Sequence, residues 1–461
     1  MQAVTPARAM DAEWSARLAE LMAAERRRFV DAHPQSKLLA ERARGRLLAG
    51  VPMPFMIEWP SPFPVFAARA KGARLWDVDG NEYIDFCLGD SGAMFGHAPA
   101  AAVRALAEQA ERGLTFMLPT EDGIAVAEEL TRRFGVRHWQ FTVTATDANR
   151  SVVRLARALT GRPKVLVFNG CYHGTVDEAV VRLKDGRAVP KGSSIGPGVD
   201  PALTTRVVEF NDVPALEAAL AHGDVACVLA EPALTNIGIV LPEPGFHDAL
   251  RRLTRRHGTL LVIDETHTIC AGPGGCTRRD GLDPDILTIG KVIAGGVPTG
   301  AYGCSDEVAA QLERLFERLD HVDGIGGTLA ANALSVHAMR VVLETVMSEA
   351  AYARMIAQAE RWEAGIAAVM TSYQLPWHVT RLGARAEYRF QPPMRSGGEA
   401  IAGDAPEIER FVQLFTLNRG VLMAPFHNMV LMSPDVAASD VERHLAVFES
   451  CIRTLRDHRV V

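Results

Sequence analysis

A lysine follows a short apolar run and stands where it could react with a carbonyl group. Lys291 comes after the run at 286–289, between Gly290 and a glycine-rich turn at 295–296. A partly desolvated lysine at the end of a strand has a lowered pKa and can form a Schiff base with an aldehyde. The alternative is an ordinary solvated lysine, which is the commoner environment of this residue type. The position alone leaves both interpretations open.

An aspartate ends the apolar run that precedes it. Asp264 follows residues 260–263 and is itself followed by Glu265. A carboxylate there could keep a pyridine nitrogen protonated and so make the ring an electron sink. It could equally cap the start of a helix. Because open α/β sheets bind ligands at the carboxyl ends of their strands, Asp264 and Lys291 can face one pocket.

Two further segments combine a strand end with a polar turn. Residues 142–151 (TVTATDANRS) predict a hydroxyl-rich helix start, where backbone N–H groups and the hydroxyls of Thr144 and Thr146 could bind a phosphate. A plain capping turn is the alternative. Residues 170–175 (GCYHGT) place Tyr172 and His173 in a glycine-flanked loop, where either ring could stack on a planar cofactor.

These residues need an alternating scaffold to bring them together. Apolar strands are predicted at 139–143, 164–168, 206–210, 225–231, 259–265, 286–289 and 300–304. Helical patterns separate most of them, which predicts an α/β fold: a large domain with a mainly parallel sheet of seven-stranded type flanked by helices, and a smaller α+β C-terminal domain. We divide the chain into an N-terminal arm and helix (1–59), a large domain (60–330) and a small domain (331–461).

Composition narrows the class of protein. The 461 residues carry a net charge of −6 without a basic stripe, which argues against a nucleic-acid partner. No apolar run approaches the roughly 20 residues that span a bilayer, so no membrane is expected. The seven cysteines are dispersed without C-x-x-C spacing, which favours reduced thiols in the cytoplasm over disulfides or a metal site.

The order of the segments resembles that of the class III aminotransferases of fold type I, and most of all the glutamate-1-semialdehyde 2,1-aminomutase branch. The resemblance runs from about residue 70 to about 335 and is carried by these pieces: WDVDGNEYIDF, FGH at 95–97, TATDA at 144–148, CYHG at 171–174, EP at 231–232, DET at 264–266, GKVIAGG at 290–296 and GGTLAAN at 326–332. It implies pyridoxal 5′-phosphate (PLP) as the cofactor.

The resemblance also implies a role for each matching position. Lys291 would form the aldimine with PLP and shuttle a proton, and Asp264 would pair with the pyridinium nitrogen. Gly327 and Thr328 resemble the segment that reaches the phosphate from the other subunit, which implies a homodimer with shared active sites. The implied cofactor pocket consists of Thr144, Ala145, Thr146, Tyr172, His173, Glu231, Asn236, Asp264, Thr266, Lys291, Gly327 and Thr328.

The substrate side departs from the family pattern. Relatives in this branch carry an arginine in the loop before the first hairpin, and residues 51–59 hold none. A carboxylate clamp needs the guanidinium geometry, so either Arg389 replaces that arginine or the substrate side is apolar. Met53 and Phe55 would then contribute to the pocket, although they could equally pack the loop onto the core.

The resemblance predicts a PLP-dependent aminotransferase. It would move an amino group from an amino acid or amine donor to a keto acid, aldehyde or ketone acceptor through the Lys291 aldimine. One alternative is an intramolecular aminomutase of the glutamate-1-semialdehyde type, against which the missing loop arginine argues. The other is a non-catalytic PLP-binding homologue, against which the presence of Lys291 and Asp264 argues. No G-x-G-x-x-G follows the first strand, which disfavours a dinucleotide enzyme.

Overall fold

The computed structural model describes residues 12–425 and 427–461, so the predicted arm before residue 12 lies outside the described residues. The chain forms two compact units. The large unit consists of Ser91–Ala353 and Met394–Ala402, and the small unit of the described residues up to Asp90 with Arg354–Pro393 and Gly403–Val461. These bounds differ from the predicted cuts after 59 and 330, because the first strands of the chain pair with a strand near its C-terminal end.

A seven-stranded sheet forms the centre of the large unit, as the alternating pattern predicts. In chain order its strands are β1 (His138–Thr142), β2 (Lys164–Phe168), β3 (Thr205–Val208), β4 (Val225–Ala230), β5 (Leu260–Asp264), β6 (Ile286–Gly290) and β7 (Gly300–Cys304). The spatial order is β1-β7-β6-β5-β4-β2-β3. Strand β7 runs antiparallel to both of its neighbours, and the remaining pairs are parallel. The predicted α/β class is confirmed.

Helices cover this sheet because their apolar residues recur with the helical period. In Ala145–Thr160 the buried side chains include Ala148, Val152 and Ala156, spaced four residues apart. The six residues of β4 are all buried, as expected of a strand inside a parallel sheet. The other helices of the large unit are Ala100–Arg112, Glu121–Phe134, Pro201–Thr204, Val213–Leu220, Phe246–His257, Gly275–Arg279, Asp306–Phe316, Ala333–Val341 and Gly397–Ala402.

Short elements complete the large unit. A two-stranded hairpin, Val181–Lys184 with Arg187–Pro190, is absent from our prediction. Three 3₁₀ turns lie at Asp177–Ala179, Thr268–Ala271 and Lys291–Ala294. The helix Ala333–Val341 widens at its end into a π turn, Val342–Val346.

The small unit contains one mixed sheet, one antiparallel sheet and long helices. One sheet joins Ala67–Lys71, Arg74–Asp77 and Glu82–Asp85, with Val421–Leu422 parallel to the last of these; the other joins His378–Leu382, Arg385–Arg389 and Met429–Leu431. Its helices are Ala12–Ala32, Pro34–Arg44, most of Glu349–Ser372, Pro406–Leu417 and Ala438–Asp457, with 3₁₀ turns at Leu48–Gly50 and Pro54–Ile57. Within the described part of the chain, no helix is both long enough and apolar enough to cross a membrane.

Candidate active site

A cavity of about 240 Å³ opens at the carboxyl ends of β5 and β6 in the large unit. This is the sheet edge where the sequence predicts a ligand, since strand ends in open α/β sheets meet there. Most of the predicted cofactor residues line it together: Thr144, Ala145, Thr146, Tyr172, His173, Glu231, Asp264, Thr266 and Lys291.

The turn after β1 presents the start of a helix to this cavity. Thr144 caps the helix Ala145–Thr160: its Oγ1 accepts a hydrogen bond from the Asp147 amide (3.2 Å) and donates to Asp147 Oδ2 (2.8 Å). The amides of Ala145 and Thr146 belong to the first turn, where no acceptor exists inside the helix. Backbone N–H groups at a helix N-terminus, together with hydroxyls, suit a phosphate.

Two glycines allow neighbouring loops to approach this turn closely. Gly174 has a φ of +75°, and a Cβ there would lie 2.0 Å from Thr146 Oγ1. A Cβ on Gly290 would lie 2.8 Å from the Cβ of Ala145. The Cβ of Ala145 is therefore accommodated, because Ala145 is helical and faces a glycine.

Asp264 is buried beneath the cavity and held by three donors. Its Oδ2 accepts hydrogen bonds from Asn149 Nδ2 (2.8 Å) and His173 Nδ1 (2.9 Å), and its Oδ1 accepts one from the Thr266 amide (3.0 Å). Asn149 is in turn fixed by Thr288 Oγ1, which donates to Asn149 Oδ1 at 2.7 Å. A carboxylate oxygen has two lone pairs, so Oδ1 retains capacity for a donor from the cavity.

The Asp264–His173 pair stays charged inside the protein. Burial alone would raise the pKa of Asp264, but the hydrogen bond and charge of His173 outweigh it and lower that pKa below its usual range. Burial likewise opposes the charged form of His173, while the Asp264 carboxylate raises the pKa of this histidine overall. His173 was predicted as a cofactor residue that could stack on the ring; the contact that it makes is this one with Asp264. An Asp264 that is ionised at neutral pH is what a protonated ring nitrogen requires.

The acid that follows Asp264 in the sequence, Glu265, points away from the cavity. Successive side chains leave a strand on opposite faces. Glu265 accepts hydrogen bonds from Thr268 Oγ1, the Cys276 amide and both the amide and hydroxyl of Thr277, at 2.5–3.2 Å. It therefore holds the loop after β5 together.

Lys291 has a strained backbone. Its φ is +56°, the left-handed region, which costs a non-glycine residue roughly 1–2 kcal/mol. Such outliers persist where the surrounding structure imposes them, and they cluster at active sites. Lys291 starts the 3₁₀ turn that follows β6, and its side chain is half-buried in the cavity wall.

A buried chain of polar groups leads away from the lysine. Lys291 Nζ lies 2.5 Å from His267 Nε2, and the other ring nitrogen of His267 lies 2.9 Å from Thr235 Oγ1. Thr235 Oγ1 donates to Glu231 Oε2 at 2.6 Å, and Glu231 Oε1 accepts from the Tyr172 amide at 3.0 Å. Burial raises the pKa of Glu231.

Sequence reasoning did not find Asn149, Thr235 and His267. Asp264 and Lys291 were recognised because each is a polar residue at the end of a strand. His267 lies three residues beyond Asp264, so its nearness to that strand end was the signal that could have identified it. Asn149 had no such signal, because it sits inside a helix and reaches Asp264 across 115 positions of the chain.

Several predicted residues do not line the cavity of the large unit. Asn236 is half-buried and outside the lining, where its neighbour Thr235 makes the contact with Glu231. Gly327 and Thr328 are exposed. Their predicted roles stay predictions.

The predicted substrate residues belong to the small unit. Met53 and Phe55 are exposed, at 42% and 47% of their surface, around the 3₁₀ turn Pro54–Ile57. Arg389 is buried and pairs with Asp404. Their contribution to substrate binding likewise stays a prediction.

The groups around the cavity fit PLP. The helix start at 145–146 offers N–H donors for a phosphate, the ionised Asp264 offers an acceptor for a protonated ring nitrogen, and Lys291 offers a primary amine. Thr266 Oγ1 is buried and has no hydrogen-bond partner among the described residues, so it can serve a bound group.

Comparison with known proteins gives the same family. Residues 56–452 match the family described as Aminotransferase class-III. A curated glutamate-1-semialdehyde 2,1-aminomutase of Desulfitobacterium hafniense is 33% identical over 432 residues, covering 91% of this chain and 98% of the relative.

Solved structures agree with this result. A glutamate-1-semialdehyde-aminomutase from Pseudomonas aeruginosa PAO1, crystallised in complex with PMP, is 50% identical with a TM-score of 0.92, covering 96% of this chain and 99% of that one. A β-phenylalanine aminotransferase from Variovorax paradoxus is 27% identical with a TM-score of 0.85, covering 95% and 98%. The chain therefore belongs to the class III aminotransferases, PLP-dependent enzymes of fold type I.

Proposed function

We propose that this chain transfers an amino group from a small-molecule donor to a separate carbonyl acceptor, with Lys291 and Asp264 as its central residues. The observation that carries the proposal is the placement of a strained lysine and an ionised aspartate on one cavity, beside a helix start suited to phosphate. Both residues belong to strand ends that the sheet fixes rigidly, which is what a positioned reaction needs.

PLP, when bound, supplies an aldehyde that condenses with amines and an electron-poor ring that accepts an electron pair from the substrate. Lys291 Nζ would hold the aldehyde carbon, and as a free amine it would accept and return a proton. Asp264 would keep the ring nitrogen protonated, because its own pKa lies far below neutrality. The amides of Ala145 and Thr146 with the Thr144 cap would hold the phosphate.

Tyr172 and Thr266 line the same cavity and would contact the two faces of the ring. The side chain of Tyr172 lies nearly parallel to the ring of His267, at 10° with centroids 6.4 Å apart. Glu231 holds the loop that carries Tyr172 through the Tyr172 amide. These contacts would fix the orientation of the cofactor ring relative to the substrate, and this orientation decides which substrate bond is broken.

The active unit that we propose is a homodimer in the cytoplasm. Leu114, Phe116, Met117 and Leu118 expose 44–73% of their surface in one segment, and contiguous apolar patches mark interaction sites. The Leu334 amide donates to Leu114 O at 3.3 Å, which joins this segment to the chain just after Thr328. A dimer through this surface would bring Thr328 towards a second subunit. We expect M117E to yield monomers by light scattering and to abolish turnover.

An intramolecular aminomutase is the second candidate, and one observation favours it. The relatives with 33% and 50% identity carry the name glutamate-1-semialdehyde aminomutase. The missing arginine in residues 51–59 argues for a different substrate, because relatives of this branch use it for a carboxylate. The small unit offers Arg389 as a replacement, although its guanidinium already faces the Asp404 carboxylate.

An isotope experiment separates the two candidates. The purified enzyme is given ¹⁵N-labelled donors, namely α-amino acids, β-amino acids with aromatic side chains and simple amines, together with 2-oxoglutarate. We expect the label to appear in the product of the keto acid. Rearrangement of glutamate-1-semialdehyde without any acceptor, and no label transfer from any donor, would instead identify an aminomutase.

A further inference from the structure

His267 joins Lys291 to a buried carboxyl group through one hydroxyl. The path runs from Lys291 Nζ to His267 Nε2 (2.5 Å), from His267 Nδ1 to Thr235 Oγ1 (2.9 Å), and from Thr235 Oγ1 to Glu231 Oε2 (2.6 Å). His267, Thr235 and Glu231 are buried. His267 follows β5, whereas Glu231 and Thr235 follow β4. In the sheet β5 lies between β6, which precedes Lys291, and β4, so the path crosses the sheet edge from one strand end to the next.

The direction of each hydrogen follows from the chemistry of the groups. An ionised Glu231 can only accept, so Thr235 must donate its single hydrogen to it. Thr235 Oγ1 then accepts from His267 Nδ1–H, which leaves a lone pair on Nε2. Nε2 therefore accepts a hydrogen bond from Lys291. Donors and acceptors therefore follow one another without a break from Lys291 to Glu231.

We propose that His267, Thr235 and Glu231 form a proton relay that removes a proton from Lys291, an inference that rests on the proposed function and adds a residue to it. Lys291 Nζ passes a proton to His267 Nε2, while Nδ1 passes its proton to Thr235 and Thr235 passes its own to Glu231. The ammonium and the carboxylate become a neutral amine and a carboxylic acid, and no outside acid or base is needed.

A relay is useful because a base must be neutral before it can accept a proton. A lysine with the ordinary pKa of about 10.4 is only roughly 0.1% neutral at pH 7.5. A hydrogen bond alone would favour the ammonium, so the path is useful because it carries the proton away from Lys291 to Glu231. His267 contacts the reacting nitrogen and is a catalytic residue in this sense. Thr235 positions the ring of His267, and Glu231 is the final acceptor of the proton.

The other titratable groups around the path have partners of their own. Those that line the cavity with Lys291 and His267 are Tyr172, His173 and Asp264, besides Glu231. Glu265 points away from the cavity. Asp264 is bound by His173, and Glu265 by the loop after β5. Glu231 is the acid that the hydrogen bonds connect to His267, and burial raises its pKa, as suits a carboxyl group that takes up a proton.

The test measures the protonation of Lys291 in the full chain freed of cofactor. Acetic anhydride modifies neutral amines only, so labelling of the Lys291 peptide across pH 6–11, read by mass spectrometry against the Lys164 peptide, reports its protonation. We expect H267Q and T235V to lower the labelling of Lys291 at pH 7.5 about tenfold, because the ammonium proton can no longer pass to Glu231. T235S keeps the hydroxyl and should follow the wild type. Thermal melting confirms that each variant is folded.

A second measurement separates this inference from the proposed function. Borohydride should attach PLP to Lys291 in the wild type and in T235V alike, since the relay does not hold the cofactor. Coincident labelling curves for wild type, H267Q and T235V would overturn the relay, as would a T235S curve displaced as far as that of T235V. Absence of PLP on Lys291 in the wild type would refute the proposed function instead, and the labelling curves would still judge the relay.

Discussion

Removal of His173 tests whether the charge of Asp264 depends on its buried partner. In the H173L variant, Asp264 keeps the donors from Asn149 and Thr266 but loses the charged one. Breaking a buried ion pair on one side costs about 3–5 kcal/mol, and the two remaining hydrogen bonds place the expected loss near the lower end. We therefore expect the free energy of unfolding of the cofactor-free protein to fall by about 3 kcal/mol at pH 6.

The pH dependence of this loss has a definite sign. Folding raises the pKa of His173 from 6.5 to about 10 through the bond to Asp264, against the effect of burial. A raised pKa means that the contribution is complete below pH 6.5 and disappears as the pH rises through 10. The penalty for H173L should thus be largest at pH 6 and shrink towards pH 10.

Urea denaturation of four proteins provides the assay: wild type, H173L, D264A and the double variant. The double variant should lose less than the sum of the single losses, because each single variant leaves one unpaired charge. H247L is the control, since His247 is a partly buried histidine whose ring nitrogen bonds a backbone carbonyl, Pro232 O at 2.9 Å, instead of a carboxylate. A penalty for H173L below 1 kcal/mol, or one that grows with pH, would refute the reasoning.

Three further substitutions test the cavity wall and the loop after β5. G174A should weaken PLP binding at least tenfold because its Cβ meets Thr146, whereas G186A, with a similar φ of +72° but open space, should leave binding unchanged; fluorescence titration compares them. T144A should lower the free energy of unfolding by about 1 kcal/mol through the lost helix cap, and T144S should restore it in urea denaturation. E265Q should lower the free energy of unfolding by about 2–3 kcal/mol, since the side-chain NH2 group would face the N–H and O–H donors that now bind the carboxylate. A loss under about 0.5 kcal/mol would contradict the role of Glu265 in holding the loop after β5.

The sequence predicts the sheet well because its strands are continuous apolar runs. The strands at 164–168 and 300–304 have the bounds that were predicted, and the others differ by one or two residues at their ends. The hairpin at 181–190 was missed although Asp185-Gly186 is a strong two-residue turn signal between alternating residues. Its strands are short and partly exposed, so they lack the apolar run by which the others were recognised.

The residues of the site likewise fall into those that the sequence predicts and those that it does not. Asp264 and Lys291 stand at strand ends, which the pattern of the chain locates. Their partners Asn149 and His267 come from a helix interior and a loop, and they act through contacts across 115 and 24 positions of the chain. Such contacts depend on how the elements pack, which periodicity and turn signals do not specify. The resemblance to a family predicted the cofactor, whereas only the packed structure identified Asn149 and His267 as partners of Asp264 and Lys291.

The attachment of PLP to Lys291 is the central claim. The purified protein is reduced with borohydride in the presence of PLP, digested, and its peptides analysed by mass spectrometry. We predict one modified peptide, which contains Lys291, and loss of the modification in K291A. Modification of Lys37, Lys71, Lys164, Lys184 or Lys191 instead, or the same modification in K291A, would contradict the account.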